Sequence, residues 1–292
     1  MFVLPPNPLL PGYYADPSLV QFEGRYFLYA TIDPWGGNTL ACWESSDFQS
    51  WIYRRLNWPT KAACTSPSSN ENKVWAPSVV RMPDGNFYMY VSVGSEIWVA
   101  SSTHPLGPWT DCLGGSPLIS STWDERYHMI DAECFIDEDG RAYLYWGSGL
   151  NWVNGRCFAV ELEADMVTFK GDVVDVSPAH YFEAPFMHRR GDIYYLGYSS
   201  GRTDQDTYQI HYATGTHPLG PFAEQANSPI LATDVSKGLV SPGHHAIFRK
   251  DGEDYILYHR RIPHLKEVLR QMCVDKIAYD GNGQIRNVEA RM

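Results

Sequence analysis

One hairpin, written five times, constrains this chain more than any other feature. In its third copy, Asp131-Ala132-Glu133-Cys134-Phe135-Ile136 runs through Asp137-Glu138-Asp139-Gly140 into Ala142-Tyr143-Leu144-Tyr145-Trp146. Apolar and aromatic residues fill both arms, and Asp-Gly between such arms is a strong signal for a tight turn. The other copies turn at Gly24, Gly85, Gly191 and Gly252, and every second arm carries tyrosine, as at Tyr29, Tyr90, Tyr195 and Tyr258. Successive turn glycines stand 61, 55, 51 and 61 residues apart. A loose period in the fifties, each unit holding a hairpin and further strand-like segments, predicts the blades of a β-propeller. The expectation is an all-β chain, a five-bladed β-propeller, forming one domain over residues 1–292.

The same period predicts where polar residues meet. Eight positions before the five glycines stand Asp16, Pro77, Ala132, Glu183 and His244, with Asp131 one position further back. Radial repetition sets equivalent positions around one axis, so the polar members should converge at one end of the central channel. A second echo supports blades as the unit: Thr103-His104-Pro105-Leu106-Gly107-Pro108-Trp109 and Thr216-His217-Pro218-Leu219-Gly220-Pro221-Phe222 are nearly the same string. Residues 57–73 and 223–243 read as loops. The fifth blade closes over residues 269–278, with a last strand near Gln284-Ile285. No segment has a useful helical period.

Composition narrows the partners. With 23 Lys and Arg against 34 Asp and Glu, the formal charge is −11. No basic run occurs, which argues against nucleic acid and anionic membranes and suits a neutral small molecule. The 14% aromatic content, with 19 Tyr and 10 Trp, serves packing between blades or stacking against a sugar. Met1-Phe2-Val3-Leu4-Pro5-Pro6 has neither a basic region nor a long apolar run, so no signal peptide is visible and the sequence reads as cytoplasmic. No stretch is long enough to span a membrane. The six cysteines are scattered without a C-x-x-C pair and read as buried thiols. Nothing in the sequence sets an oligomeric state.

Asp16, Asp131 and Glu183 place carboxylates at the inner-strand starts of three different blades. Like charges crowded into a partly buried site raise one another's pKa. One carboxyl group can then stay protonated as a general acid while another stays ionised as a base. Glycosidic bond cleavage uses two carboxylates in those opposed roles.

These residues carry a resemblance. Asn7-Pro8-Leu9-Leu10-Pro11-Gly12 with Ala15-Asp16-Pro17-Ser18 resembles the opening motif of glycoside hydrolase family 43. So do Trp75-Ala76-Pro77, Ile130-Asp131 with Tyr143-Leu144-Tyr145-Trp146-Gly147, Glu183-Ala184-Pro185, and Pro242-Gly243-His244 with Tyr258-His259-Arg260, all in the family's order. The resemblance implies a five-bladed propeller that hydrolyses arabinosides, xylosides and related furanosides with inversion. It implies Asp16 as general base, Asp131 as the residue that orients the acid and raises its pKa, and Glu183 as general acid. It implies Trp75 and Arg260 in the sugar subsite, and His244 facing a central metal ion, often calcium, or a water. Ala15 and Ala184 depart from residues common in the family, but neither change removes a reacting group.

Within the family, the expected activity is release of terminal α-L-arabinofuranosyl residues. Many family β-xylosidases carry a C-terminal β-sandwich, and the 40 residues after Gly252 leave no room for one. β-Xylosidase, endo-arabinanase and galactofuranosidase activities stay open, as does a non-catalytic sugar-binding propeller, against which the carboxylate trio argues. Three other motifs do not hold. Gly197-Tyr198-Ser199-Ser200-Gly201 fits G-x-S-x-G, but loop and strand follow it where a nucleophile elbow needs a helix. Asp137-Glu138-Asp139-Gly140 lacks an oxygen ligand two residues earlier, where Phe135 stands, and reads as a turn rather than a calcium loop. His244-His245 has no zinc spacing; strand alternation sends one ring to the channel and the other to the core.

Overall fold

The computed structural model describes residues 2–67 and 70–291. Met1, Met292 and, within the 57–73 loop, Ser68 and Ser69 lie outside the described residues. The chain forms a five-bladed β-propeller of antiparallel sheets. Blade 1 holds β1 (Tyr14–Phe22), β2 (Arg25–Ile32), β3 (Ala41–Ser45) and β4 (Ile52–Arg54). Blade 2 holds β5 (Val74–Arg81), β6 (Phe87–Val93), β7 (Glu96–Ser102) and β8 (Thr110–Asp111). A short β9 (Tyr127–His128) leads to β10 (Glu133–Ile136) and β11 (Ala142–Trp146); β12 (Ser148–Gly149) turns back to pair with β9. Blade 3 is completed by β13 (Phe158–Leu162) and β14 (Phe169–Asp175). Blade 4 holds β15 (Glu183–Arg190), β16 (Ile193–Ser200), β17 (Gln209–Gly215) and β18 (Ala223–Glu224). Blade 5 holds β19 (Gly243–Lys250), β20 (Glu253–Arg261) and β21 (Arg270–Ile277). Among the described residues, the helical pieces are short 3₁₀ turns at Leu150–Trp152 and Val235–Lys237, and no helix is long and apolar enough to cross a membrane.

Each second strand packs between two neighbours, which is why its residues are apolar on both faces. Hydrophobic clusters occupy the junctions between blades, such as Tyr29, Val79 and Trp98 between blades 1 and 2, or Leu28, Trp43 and Leu257 between blades 5 and 1. The repeated tyrosines have a further job, because a buried phenol needs a hydrogen-bond partner. Tyr29 donates to Pro105 O at 2.6 Å, Tyr90 to Met166 O at 2.7 Å, Tyr145 to Pro218 O at 2.6 Å and Tyr195 to Gly283 O at 2.7 Å. Each bolts one blade to a loop of the next. The Thr-His-Pro-Leu-Gly-Pro strings supply two of those four carbonyls.

The ring is closed by the start of the chain. Leu9 N–H donates to Met272 O at 2.8 Å, and Val274 N–H donates to Asn7 Oδ1 at 2.8 Å. The opening Asn7-Pro8-Leu9 thus lies along the outer edge of the three-stranded blade 5. The strand expected near Gln284-Ile285 is instead a turn, closed by an isolated bridge between Tyr279 and Ile285. It does not join blade 5, whose outer edge is already taken.

Candidate active site

Every inner strand carries one positive-φ residue where it meets the channel mouth: Asp16 (55°), Ala76 (46°), Asp131 (58°), Ala184 (56°) and His244 (42°). None is glycine, so each conformation costs about 1–3 kcal/mol and is held by its surroundings. Four coincide with register shifts in the inner hairpin, and the fifth lies just ahead of β10. A bulge re-aims side chains and takes its N–H out of the ladder, so that N–H needs another acceptor.

The preceding blade supplies the acceptor. Ala76 N–H donates to Thr31 Oγ1 at 2.8 Å, Asp131 N–H to Ser92 Oγ at 3.0 Å, His244 N–H to Ser199 Oγ at 2.9 Å and Asp16 N–H to His259 Nδ1 at 3.4 Å. The matching residue of blade 3 is Gly147, which has no side chain. The Ala184 N–H faces the Asp131 carboxylate instead and favours its ionised form. Gly147 has φ 118°, and a Cβ there would stand 2.4 Å from Arg156 O. A missing side chain thus ties Asp131 to the backbone directly after Glu183.

The bulges correct the phase read from the turn glycines. Asp16, Asp131 and His244 are bulge residues, whereas Glu183 stands one position earlier, the position that Trp75 holds in blade 2. The miscount arises because the glycine sits at different points in the hairpin loops: Gly191 is first and Gly24 second in loops of two residues, while the loop between Ile136 and Ala142 has five. The convergence survives, since Asp16, Trp75, Asp131, Glu183 and His244 all line one cleft of about 730 Å³ at the end of the channel. Trp35, His128, Trp152, Phe182, Tyr208 and Arg270 line it as well.

Two of the carboxyl groups have opposite surroundings. Asp16 accepts from Thr31 Oγ1 at 2.7 Å and Arg270 Nη1 at 3.0 Å, with His259 Nδ1 and His244 Nδ1 at 3.1 and 3.2 Å. Burial alone would raise its pKa, but Arg270, then His244 and His259, hold it well below the ordinary range. Glu183 accepts from Tyr208 Oη and Ser148 Oγ, each at 2.7 Å. Burial lifts Glu183 above its ordinary value, against those two donors and with help from the Asp16 charge. Burial, then the charges of Glu183 and Asp16, push Asp131 up as well. Asp131 and Glu183 therefore cannot both ionise easily. Both are shifted upward, Asp131 the further, because burial and the neighbouring charges disfavour ionised carboxylates there.

Sequence reasoning missed the arginine. Arg260 does not line the cleft; its guanidinium reaches Gly238 O at 3.2 Å and Gln271 Oε1 at 3.3 Å. The guanidinium at the trio belongs to Arg270, on β21. It forks onto Asp33 with Nη2–Oδ1 2.6 Å and Nε–Oδ2 3.0 Å, lies 5.4 Å from the Trp35 ring centroid and reaches Asp16. Strand alternation explains the error, since Arg260 neighbours His259 and so faces away from the channel. Arg270 lies outside the repeated hairpins, so no periodic signal marked it. Tyr208 and Ser148 likewise stand on no repeated position.

His244 points its Nδ1 at Asp16 and, at 3.8 Å, at Asp131 Oδ2, and burial lowers its pKa to about 4. His245 faces the core, its ring against Phe186 and above Gly197, where a Cβ would lie 2.3 Å from Nε2. Calcium takes six to eight oxygen ligands. His244 offers nitrogen, and the neighbouring Asp16 Oδ1 already accepts from Arg270, so these protein atoms do not compose a calcium shell by themselves. Asp137-Glu138-Asp139-Gly140 is a hairpin turn, and Asp137 is held by Tyr194 Oη at 2.6 Å and Arg189 Nη1 at 2.8 Å.

Comparison with known proteins places these features in a family. The model described as glycosyl hydrolases family 43 matches residues 5–285. A β-D-galactofuranosidase of Aspergillus niger is 34% identical over 96% of this chain and 83% of its own length. An arabinoxylan arabinofuranohydrolase of Bacillus subtilis is 25% identical over 97% of this chain, which spans 64% of that longer protein. The solved structure of an α-L-arabinofuranosidase from Clostridium thermocellum superposes with TM-score 0.76 at 28% identity, covering 94% of this chain and 93% of that one.

Proposed function

Because the chain belongs to glycosyl hydrolase family 43, and is a glycosidase on that ground, we propose that it releases terminal α-L-arabinofuranosyl residues from arabinose-containing oligo- and polysaccharides with inversion. The observation that carries the roles is the opposed titration of two carboxyl groups in one cleft. Asp16, ionised, takes a proton from a water molecule as that water attacks the anomeric carbon. Glu183 gives its proton to the departing glycosidic oxygen on the other side of the ring. The sugar product carries the new hydroxyl, Asp16 ends protonated and Glu183 ionised, and exchange with solvent resets both. Water fits between base and sugar only if the two carboxyl groups stand roughly 6.5–9.5 Å apart.

The remaining cleft residues support these two. Arg270, anchored by Asp33, keeps Asp16 ionised and aimed. Asp131, facing the Ala184 N–H, helps fix the backbone that presents Glu183 and keeps the acid's pKa high. Trp75, its indole N–H donating to Gly94 O at 3.2 Å and its side chain lining the cleft, is a platform for the sugar ring. Arg270 takes the place in the subsite that the sequence reading gave to Arg260.

One observation favours a second substrate: the 34% identical relative acts on β-D-galactofuranosides. A β-D-galactofuranosyl ring has the ring stereochemistry of α-L-arabinofuranosyl and adds one exocyclic carbon. The test is a panel of 4-nitrophenyl glycosides with the product anomer followed by NMR. The proposal expects α-L-arabinofuranoside as the best substrate and β-arabinose as the first product. A first product of retained configuration, or preference for a xyloside, overturns it; preference for β-D-galactofuranoside establishes the second reading.

A further inference from the structure

A cluster on blade 4 lies outside the cleft and has no part in the hydrolytic reading. His180, in the loop before β15, places Nδ1 2.8 Å from Glu224 Oε2, and His211, on β17, places Nδ1 2.5 Å from Glu224 Oε1. The three donor atoms lie within 4.8 Å of one another and come from three separate segments: a loop, β17 and β18. Two imidazole nitrogens and a carboxylate oxygen form the donor set that zinc takes when a fourth position is left for water.

We propose that His180, His211 and Glu224 bind one divalent transition-metal ion, zinc among the abundant ones. Zinc bonds nitrogen and oxygen at about 2.0–2.2 Å, so tetrahedral donors stand about 3.3 Å apart. The present spacings bracket that value, and small shifts of the exposed His180 ring adjust the rest. Entry of the ion displaces the protons that now lie between each Nδ1 and the carboxylate, and both imidazoles bind neutral. A ligating histidine usually gives its other N–H to an outer acceptor. Gln209 is placed for this, with its side-chain amide 2.8 Å from His211 Nε2. With that amide turned over, Oε1 accepts the Nε2–H and leaves Nδ1 for the metal. His211 is buried, with its ring stacked on Tyr198 at 5.7 Å, so the site has a fixed wall, while His180 keeps it open to solvent. Calcium and magnesium prefer an all-oxygen shell and do not suit it.

The ion would pin the loop that delivers Glu183. That loop is otherwise held by Tyr198 Oη donating to Ala179 O and Tyr181 Oη donating to Gly147 O, both at 2.7 Å. Two residues separate His180 from Glu183, so the consequence expected is thermal reinforcement of the active-site approach, read independently of activity.

The experiment titrates metal-stripped protein with zinc chloride by calorimetry and follows the melting temperature. The result expected is one ion per chain and a rise of about 3–6 °C with free zinc near a hundred times Kd. Calcium chloride gives no rise. His180→Ala, at an exposed position, and Glu224→Gln, which keeps a hydrogen-bonding side chain, each weaken zinc binding at least about tenfold and abolish the thermal shift. Absence of zinc uptake by the native protein overturns the proposal, as does uptake that both variants retain in full.

Discussion

Tyr208→Phe tests the electrostatics of the acid with a single hydrogen bond. The Tyr208 ring stacks on His259, with centroids 5.8 Å apart and planes 5° from parallel, and it packs so closely on Gly243 that a Cβ there would meet it at 1.9 Å. Phenylalanine keeps that ring and removes only the donor, 2.7 Å from Glu183 Oε1. A bond to an ionised carboxylate is worth about 1.5–3 kcal/mol, and one to the protonated acid about 0.5–1.5 kcal/mol. The difference, about 1–1.5 kcal/mol, corresponds to about one pKa unit. The donor favours the ionised form, so its loss carries Glu183 further above its ordinary value. Activity needs Glu183 protonated, so the descending limb of kcat/KM against pH should move to higher pH by about one unit. The assay is the pH profile on an arabino-oligosaccharide, where departure needs the proton. The limb reports a macroscopic value of the Asp131–Glu183 pair, but its direction of movement is set by the lost donor. A limb that stays in place, or moves toward acid, refutes the reasoning.

Arg270→Lys gives up the fork onto Asp33 and loosens the bond to Asp16. At about 1.5–3 kcal/mol for a charge-assisted bond, kcat/KM falls about 10–100-fold and the ascending limb moves up in pH, whereas Arg260→Ala leaves both nearly unchanged; steady-state kinetics at several pH values checks the pair. Gly147→Ala drives a Cβ to 2.4 Å from Arg156 O at φ 118°, so unfolding should cost about 3 kcal/mol less, seen as a melting point lower by several degrees. Exhaustive chelation should leave kcat unchanged, because the cation beside Asp16 is the Arg270 guanidinium; a loss restored by calcium would show a catalytic ion instead.

The fold was legible because its determinants repeat. Turn glycines and second-arm tyrosines recur, and each recurrence has one physical cause, a tight turn or a buried phenol reaching the next blade. The carboxyl trio was legible for the same reason: polar residues such as Asp16, Asp131 and His244 recur at the inner-strand starts of apolar hairpins. Register was not legible, since the glycine does not hold one place in the hairpin loop: Gly191 is the first of its two loop residues where Gly24 is the second, which displaced Glu183 by one position. Arg270, Tyr208 and Ser148 were missed because each enters the cleft from outside the repeated arms. What selects them is three-dimensional: Asp33 holds Arg270, His259 holds the Tyr208 ring, and the β9–β12 pair holds Ser148. Arg260 had the right chemistry and sat beside a channel-facing histidine, but alternation points it the other way.

The account's central claim is the division of labour between Asp16 and Glu183, and the leaving group tests it most directly. An alkoxide leaving an oligosaccharide needs a proton; 4-nitrophenolate, a far weaker base, scarcely does. Glu183→Ala should lose about 10²–10⁴-fold on an arabino-oligosaccharide, the usual worth of positioned proton transfer, and clearly less on the 4-nitrophenyl arabinoside. Asp16→Ala should lose activity alike on both, since water must be activated whatever departs. Equal ratios of loss for the two variants across both substrates would contradict the assigned roles, and wild-type rates in either variant would remove that residue from the chemistry.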